Sequence, residues 1–297
     1  MNKINIIYIA STGKSGSTLL ETILDNHEKC FSLGEFQVFP IDLKFDLQPC
    51  GCSSKVAECQ FWKDVYLKNK TIIDHGSIDR FRNLTAGKVL RWSELLEIFF
   101  NVPNKLHEIN EYGYQNYTVL KTIKEKLNAN VNFYLVDSSK DPYRLKWLQQ
   151  SNLFNIKVLH VLKRPQSFVY SNIKNEKNFF MRFYKLLRMS ARWIIQNIII
   201  EKVVMKYLTQ DSYLKIMYED LAGFHKNEIA RICKFLEIRQ IEDIMIGEMH
   251  KNHAISGNMM RFGKSKIELD EKWKSHMTVF DKFLISVITL PFSFLLR

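Results

Sequence analysis

Residues Ser11-Thr12-Gly13-Lys14-Ser15-Gly16-Ser17-Thr18 crowd hydroxyls, an amine and two glycines into one short stretch. An apolar run, Ile6-Ile7-Tyr8-Ile9, precedes it, and Leu19, Leu20, Ile23 and Leu24 follow at helical spacing. A strand, a small-residue loop and a helix N-terminus together form an anion cradle, because free backbone N–H groups and the positive end of the helix dipole point into the loop. Hydroxyls from Ser15, Ser17 and Thr18 add donors, and the natural occupant is a phosphate or sulfate group. The nucleotide-triphosphatase loop requires its lysine after the last glycine. Here Lys14 precedes Gly16, so that match fails. Taken alone, the segment also reads as a plain strand-to-helix turn in which glycine supplies a positive φ.

Further segments stand in order along the chain: Leu33-Gly34-Glu35-Phe36, Lys140-Asp141-Pro142, and Lys163-Arg164-Pro165-Gln166-Ser167-Phe168-Val169-Tyr170-Ser171. Tyr218-Glu219-Asp220-Leu221 and Ser256-Gly257-Asn258-Met259-Met260-Arg261-Phe262 come later. The first loop, with Lys-Ser-Gly-Ser-Thr, resembles the 5′-phosphosulfate loop of sulfotransferases that use 3′-phosphoadenosine 5′-phosphosulfate (PAPS). The Lys163 to Ser171 segment is similar to that family's 3′-phosphate motif, a basic residue eight positions before a serine. It departs from the motif in having Lys163 where the family has Arg, and Arg164 where it has an acidic residue or Asn. Lysine still binds phosphate as a point charge but lacks the bidentate fork. The remaining four segments resemble stretches of tyrosylprotein and bacterial sulfotransferases, so the resemblance extends over nearly the whole chain.

That resemblance implies transfer of a sulfuryl group from PAPS to a hydroxyl by in-line displacement, a reaction that needs alignment and charge stabilisation. Lys14, with Gly13, Gly16 and the backbone of Ser15 to Thr18, is assigned to the leaving 5′-phosphate. Lys140 faces the sulfuryl or bridging oxygens. Glu35 is the candidate general base. His27 is its rival, read as a helix-end residue complementing the dipole. Lys163 or Arg164, Ser171 and Arg261 are assigned to the 3′-phosphate, with Tyr218 as a weaker contact. No metal is expected in the reaction. Two other classes compete. One is a P-loop kinase using ATP and magnesium with Asp137 as the metal ligand, and the other is a non-catalytic basic protein docking on a membrane or polyanion.

Strand signals near Ile4 to Ile9, Phe133 to Val136, Lys157 to Leu162 and Tyr213 to Met217 are each followed by a loop and a helical pattern. This alternation predicts an α/β fold with a central parallel sheet and helices on both faces, which the resemblance makes a three-layer, P-loop-like fold. Ligands bind at the carboxyl ends of such strands, where the motifs fall. One domain over residues 1–297 is expected, with an insertion at about 36–130 that selects the acceptor. Helical patterns lie at Arg91 to Phe100, Thr118 to Asn128, Phe179 to Tyr207, Lys226 to Leu236 and Glu242 to His250. In the longest, the stripe Phe180, Phe183, Leu187, Ala191, Ile194 and Ile198 reads as core.

A formal charge of +12 calls for an anionic partner. Outside the motifs, Lys121, Lys124, Lys126, Lys202 and Lys206 have helical spacing and read as solvated faces. No nucleic-acid-binding signature accompanies them. Five cysteines and a start that runs at once into core-type sequence predict a cytoplasmic protein with reduced thiols. Cys50, Cys52 and Cys59 lack a nearby fourth ligand at zinc-finger spacing, so a packed insertion is expected there. The apolar run Phe283 to Leu296 is about fourteen residues long and contains Pro291, short of the roughly twenty that span a bilayer. It reads as a docked helix, with an interfacial anchor closing on Arg297 as the other possibility. The acceptor is a small-molecule, glycan, lipid or peptide hydroxyl.

Overall fold

A computed structural model describes residues 2–76, 89–102, 106–242, 252–258, 262 and 267–296. Their centre is β1 (Ile4–Ser11), whose residues are nearly all buried, as a continuous apolar strand covered on both faces must be. β2 (Cys30–Gly34), β3 (Tyr134–Asp137), β4 (Phe154–Leu162) and β5 (Tyr213–Met217) complete a parallel sheet in the order β2-β3-β1-β4-β5. β1 pairs with β4 from Ile4 opposite Phe154 to Ser11 opposite Val161, and with β3 from Asn5 opposite Tyr134 to Tyr8 opposite Asp137.

Alternation along β1 divides the core. Ile6, Tyr8 and Ala10 face helices Gln60–Lys68, Leu106–Lys126 and Pro142–Gln150 and the end of Phe179–Tyr207. Ile7 and Ile9 face helices Ser17–Leu24, Tyr218–Gly223 and His225–Leu236. The sheet is thus covered on both faces, as the strand and helix alternation predicts. After β1 the chain moves toward β2, and after β4 it moves the other way toward β5. The crevice at the carboxyl ends of β1 and β4 is therefore the switch point at which ligands bind in such sheets.

The four predicted strands form, with ends shifted by up to three residues. β2 was not foreseen: Cys30-Phe31-Ser32-Leu33-Gly34 is short, lacks β-branched residues and ends in glycine. The helix Thr118 to Asn128 is longer than expected and begins at Leu106, while all of Glu242 to His250 after Glu242 lies outside the described residues.

Helix Phe179–Tyr207 has its predicted bounds, opened by the Asn178 side chain, which accepts from Met181 N at 3.0 Å. Its predicted core stripe is corrected in its first part only, since Ile194 is buried and Ile198 half-buried as expected. Phe180 is 81% exposed and Phe183 40%, and Leu187 and Ala191 are also exposed. The buried residues are Leu186, Ser190, Trp193, Ile194, Gln196, Asn197, Ile199, Ile200, Val203 and Val204. This helix carries apolar residues almost all round, so period alone does not select a face. Contacts do: Trp193 Nε1 donates to the Lys163 carbonyl at 2.8 Å and turns that side inward.

The C-terminal run forms helix Val279–Thr289 and a tight 3₁₀ segment, Leu290–Leu296. Ile285 and Leu295 dock against Phe168, Val169 and Trp193, whereas Phe280, Phe283 and Leu290 stay exposed. Among the described residues no helix is long and apolar enough to cross a membrane.

Candidate active site

The loop after β1 is built by two unusual backbone positions. Lys14 lies at φ 65° and Gly16 at φ 91°, and Gly16 caps helix Ser17–Leu24. A Cβ on Gly16 would sit 2.4 Å from the Tyr218 ring, so glycine is needed both for the turn and for the close approach of that ring. Thr12 and Ser15 share a hydroxyl hydrogen bond of 2.5 Å beneath the loop. The result is a cleft of about 520 Å³, with Gly13, Lys14, Gly16, Ser17 and Thr18 along one wall. Ser15 is fully buried and braces the loop from behind.

Lys14 Nζ reaches across the switch point to donate to the Ser171 carbonyl at 2.9 Å. Burial lowers its pKa, and neighbouring Lys174 adds to the effect. Lys163, just after β4, is 4% exposed and borders the same cleft. Its Nζ donates to Ser171 Oγ at 3.3 Å and sits 4.5 Å from the centre of the Tyr218 ring. Burial lowers the Lys163 pKa, opposed by Asp270 and Glu219. Arg164 points elsewhere: it is exposed, does not line the cleft, and its backbone N–H donates to Glu219 at 3.0 Å. Between the two cations left open by the sequence, only Lys163 faces the cavity. Arg261 lies outside the described residues.

Residues that follow β2 and β3 also line the cleft. Gly34, at φ 74°, ends β2, and Glu35 follows with its backbone N–H bonded to the Ile255 carbonyl at 2.7 Å. Lys140, at φ 64° just beyond β3, donates to Glu35 Oε1 at 2.6 Å. Non-glycine residues in the left-handed region are uncommon, and here Lys14 and Lys140 both adopt it where they border the cleft. His27 lies in a separate depression beside Glu28 and Arg239. Its Nδ1 accepts from the Lys29 backbone N–H at 3.1 Å and burial lowers its pKa, both of which work against the charge that the dipole reading needs.

Several residues escaped sequence reading. Lys174, Glu268 and Asp270 also border the cleft, beside Asn258 of the late segment already singled out. Lys174 follows Ser171 by three residues near the end of the same helical segment, a spacing that puts both on one face. Glu21 is buried behind the loop, where Ser32 Oγ and Ser138 Oγ donate to its two oxygens, the latter at 2.7 Å. Burial pushes its pKa up to about 7. Asp137 is fully buried, bonded to Arg144 Nη2 at 2.8 Å and Nε at 3.0 Å and accepting from Ser139 N at 3.0 Å. The expected lack of a fourth ligand near Cys50, Cys52 and Cys59 does not hold in space, because His253 joins them.

No protein-family model matches this chain, and no curated protein sequence matches it. Solved structures do. A sulfotransferase domain from the curacin biosynthetic pathway is 17% identical with a TM-score of 0.56, over 97% of this chain and 98% of that one. The sulfotransferase domain of the Synechococcus PCC 7002 olefin synthase is 18% identical with a TM-score of 0.50, over 96% of this chain and 94% of that one. Likeness over nearly the full length of both chains establishes a shared fold.

Proposed function

We propose that this protein, which has the fold of bacterial sulfotransferase domains, transfers a sulfuryl group from PAPS to a hydroxyl acceptor. One observation carries the reading: the glycine-serine loop with Lys14, the Glu35–Lys140 pair and the Lys163–Ser171 pair border one cleft at the switch point of the sheet. An anion cradle alone fits many ligands. A second cation in the same cleft, the buried Lys163 beside the exposed Lys14, fits a nucleotide carrying two separate phosphates.

In the proposed step, the acceptor oxygen forms a bond to sulfur while the bond from sulfur to the bridging oxygen of the 5′-phosphate breaks. The electron pair leaves on that oxygen, and Lys14 with the N–H groups at the start of helix Ser17–Leu24 stabilises the charge that develops. Glu35 takes the acceptor proton. Lys140, its ion-pair partner before substrate enters, turns toward the sulfuryl oxygens. Lys163 and the Ser171 hydroxyl hold the 3′-phosphate, and Tyr218 braces Gly16 and the Lys163 amine. Left-handed backbone at Lys14 and Lys140 is the kind of local strain that clusters at functional sites.

A kinase reading needs a carboxylate free to bind magnesium. Asp137 spends one oxygen on Arg144 and the other on a backbone N–H in the interior. This argues against the kinase reading that makes Asp137 the magnesium ligand. One similar domain is named for a biosynthetic pathway and the other for a synthase. A hydroxyl on a biosynthetic small molecule is therefore the first acceptor class to try, ahead of glycan, lipid and peptide. Incubating the enzyme with sulfur-labelled PAPS and a metabolite extract, without added magnesium, should give labelled sulfate esters by mass spectrometry. Label transfer from ATP and none from PAPS would sink the proposal.

A further inference from the structure

Cys50, Cys52, Cys59 and His253 place three sulfurs and one ring nitrogen within 4.8 Å of one another. The separations are 3.7 Å from Cys50 to Cys59, 3.6 Å from Cys52 to Cys59, and 3.3 and 3.8 Å from His253 Nδ1 to Cys59 and Cys50. A tetrahedral zinc ion with its usual bond lengths would set sulfur–sulfur edges of about 3.8 Å and sulfur–nitrogen edges of about 3.5 Å. A disulfide would instead bring two sulfurs to about 2.0 Å. We propose that these four side chains bind a structural zinc ion that ties the insertion to the segment 252–258.

Each ligand is held by its surroundings. The turn at Cys50-Gly51-Cys52 closes through Ser53 N–H to the Cys50 carbonyl and Cys50 N–H to the Ser54 carbonyl, both 2.8 Å. Cys59 opens helix Gln60–Lys68. The His253 ring stacks on Phe61 at 4.7 Å with planes 8° apart, and the His253 carbonyl accepts from Trp62 Nε1 at 2.7 Å. Such contacts orient a metal-binding imidazole before the ion arrives. Three thiolates and a neutral imidazole form a closed set suited to zinc, with no open position for substrate. Binding releases the thiol protons to solvent.

The staple sits close to the cleft without entering it. Gly51 N–H bonds to the Ala254 carbonyl at 2.9 Å, and a Cβ on Gly51 would fall 1.8 Å from Asn252 Oδ1. Next to Ala254, Ile255 pairs with Gly34 at the end of β2. Three residues on, Asn258 N–H reaches Thr18 Oγ1 at 3.4 Å. An ion at the cluster fixes the segment that holds Glu35 on one side and borders the loop helix on the other.

The full-length chain, purified under reducing conditions without a metal-affinity step, should contain about one zinc per chain by elemental analysis. Cobalt(II) loaded in its place should show thiolate charge-transfer absorption and an intense tetrahedral visible band. Cys59→Ser and His253→Gln should lower the zinc content, and Cys233→Ser, remote from the cluster, should retain it. Less than about a tenth of an equivalent in the wild-type chain, with no uptake of added zinc, overturns the proposal. So does iron in place of zinc, a disulfide among the three cysteines under reducing conditions, or full zinc retention by a Cys50→Ser, Cys59→Ser double variant. The wild-type measurements decide the matter even if a variant fails to fold, and none depends on the sulfotransferase reading.

Discussion

At the scale of single residues, the proposed chemistry separates binding from catalysis. Lys14→Ala removes a cation placed at the developing charge, so turnover should fall by roughly a hundred- to a thousandfold, the range for losing one such donor. Glu35→Ala should leave nucleotide affinity nearly unchanged while kcat drops by about a hundredfold or more. Steady-state kinetics paired with binding measurements checks both, and normal turnover in the two variants would end the assignment. Glu21 gives a pH prediction. Its ordinary pKa of 4.5 rises to about 7 in the fold through burial, so between those values the native state keeps a proton that the unfolded chain has lost. Stability from this group is full below the lower value and falls as pH rises through the window, by up to about 3 kcal/mol. Glu21→Gln should flatten that dependence in urea titrations between pH 5 and 8, and an unchanged slope would mean that another group titrates there.

At the scale of elements, the loops work because a few backbone positions accept what side chains elsewhere cannot. Gly34 meets the Ile255 carbonyl: an added Cβ would lie 2.0 Å from that oxygen, and its φ is 74°. Gly34→Ala should cost about 2 kcal/mol or more, since backbone strain and a clash add. A shift of the urea midpoint would report it, and an unchanged midpoint would show that the bridge to Ile255 adds little. Strand ends and motif loops were legible in the sequence because β-branched runs and glycine-serine turns are local signals. β2 was not, since its five residues gain stability from pairing with β3 rather than from propensity. The Cys₃His cluster was invisible for a related reason: His253 stands 194 residues beyond Cys59, and long-range contacts such as the pairing of Ile255 with Gly34 and the Trp62 bond to the His253 carbonyl bring it back. The buried face of Phe179–Tyr207 was misjudged at Phe180, Phe183, Leu187 and Ala191, though not at Ile194, because a helix with apolar residues on nearly every side gives period analysis little contrast.

For the whole molecule, the sheet order turns four distant segments into one site. β1 and β4 lie side by side with their following loops diverging, so Lys14 and Lys163 face one cleft though they are far apart in the chain. In the proposed reading the lysines of this cleft give part of the chain's positive charge a specific use, while exposed lysines elsewhere are worth little to binding in physiological salt. Lys163→Ala should weaken the 3′,5′-bisphosphate of adenosine by roughly ten- to a hundredfold and leave AMP almost unaffected, the loss expected for a charged hydrogen-bonding partner. Equal weakening of both nucleotides in parallel titrations would place Lys163 away from the 3′-phosphate. Calorimetry of the wild-type protein tests the central claim most directly. Adenosine 3′,5′-bisphosphate should bind at least about tenfold more tightly than AMP or ATP, with no magnesium required, whereas equal affinity for all three, or tighter binding of magnesium–ATP, would contradict a cleft built for a nucleotide phosphorylated at both ends.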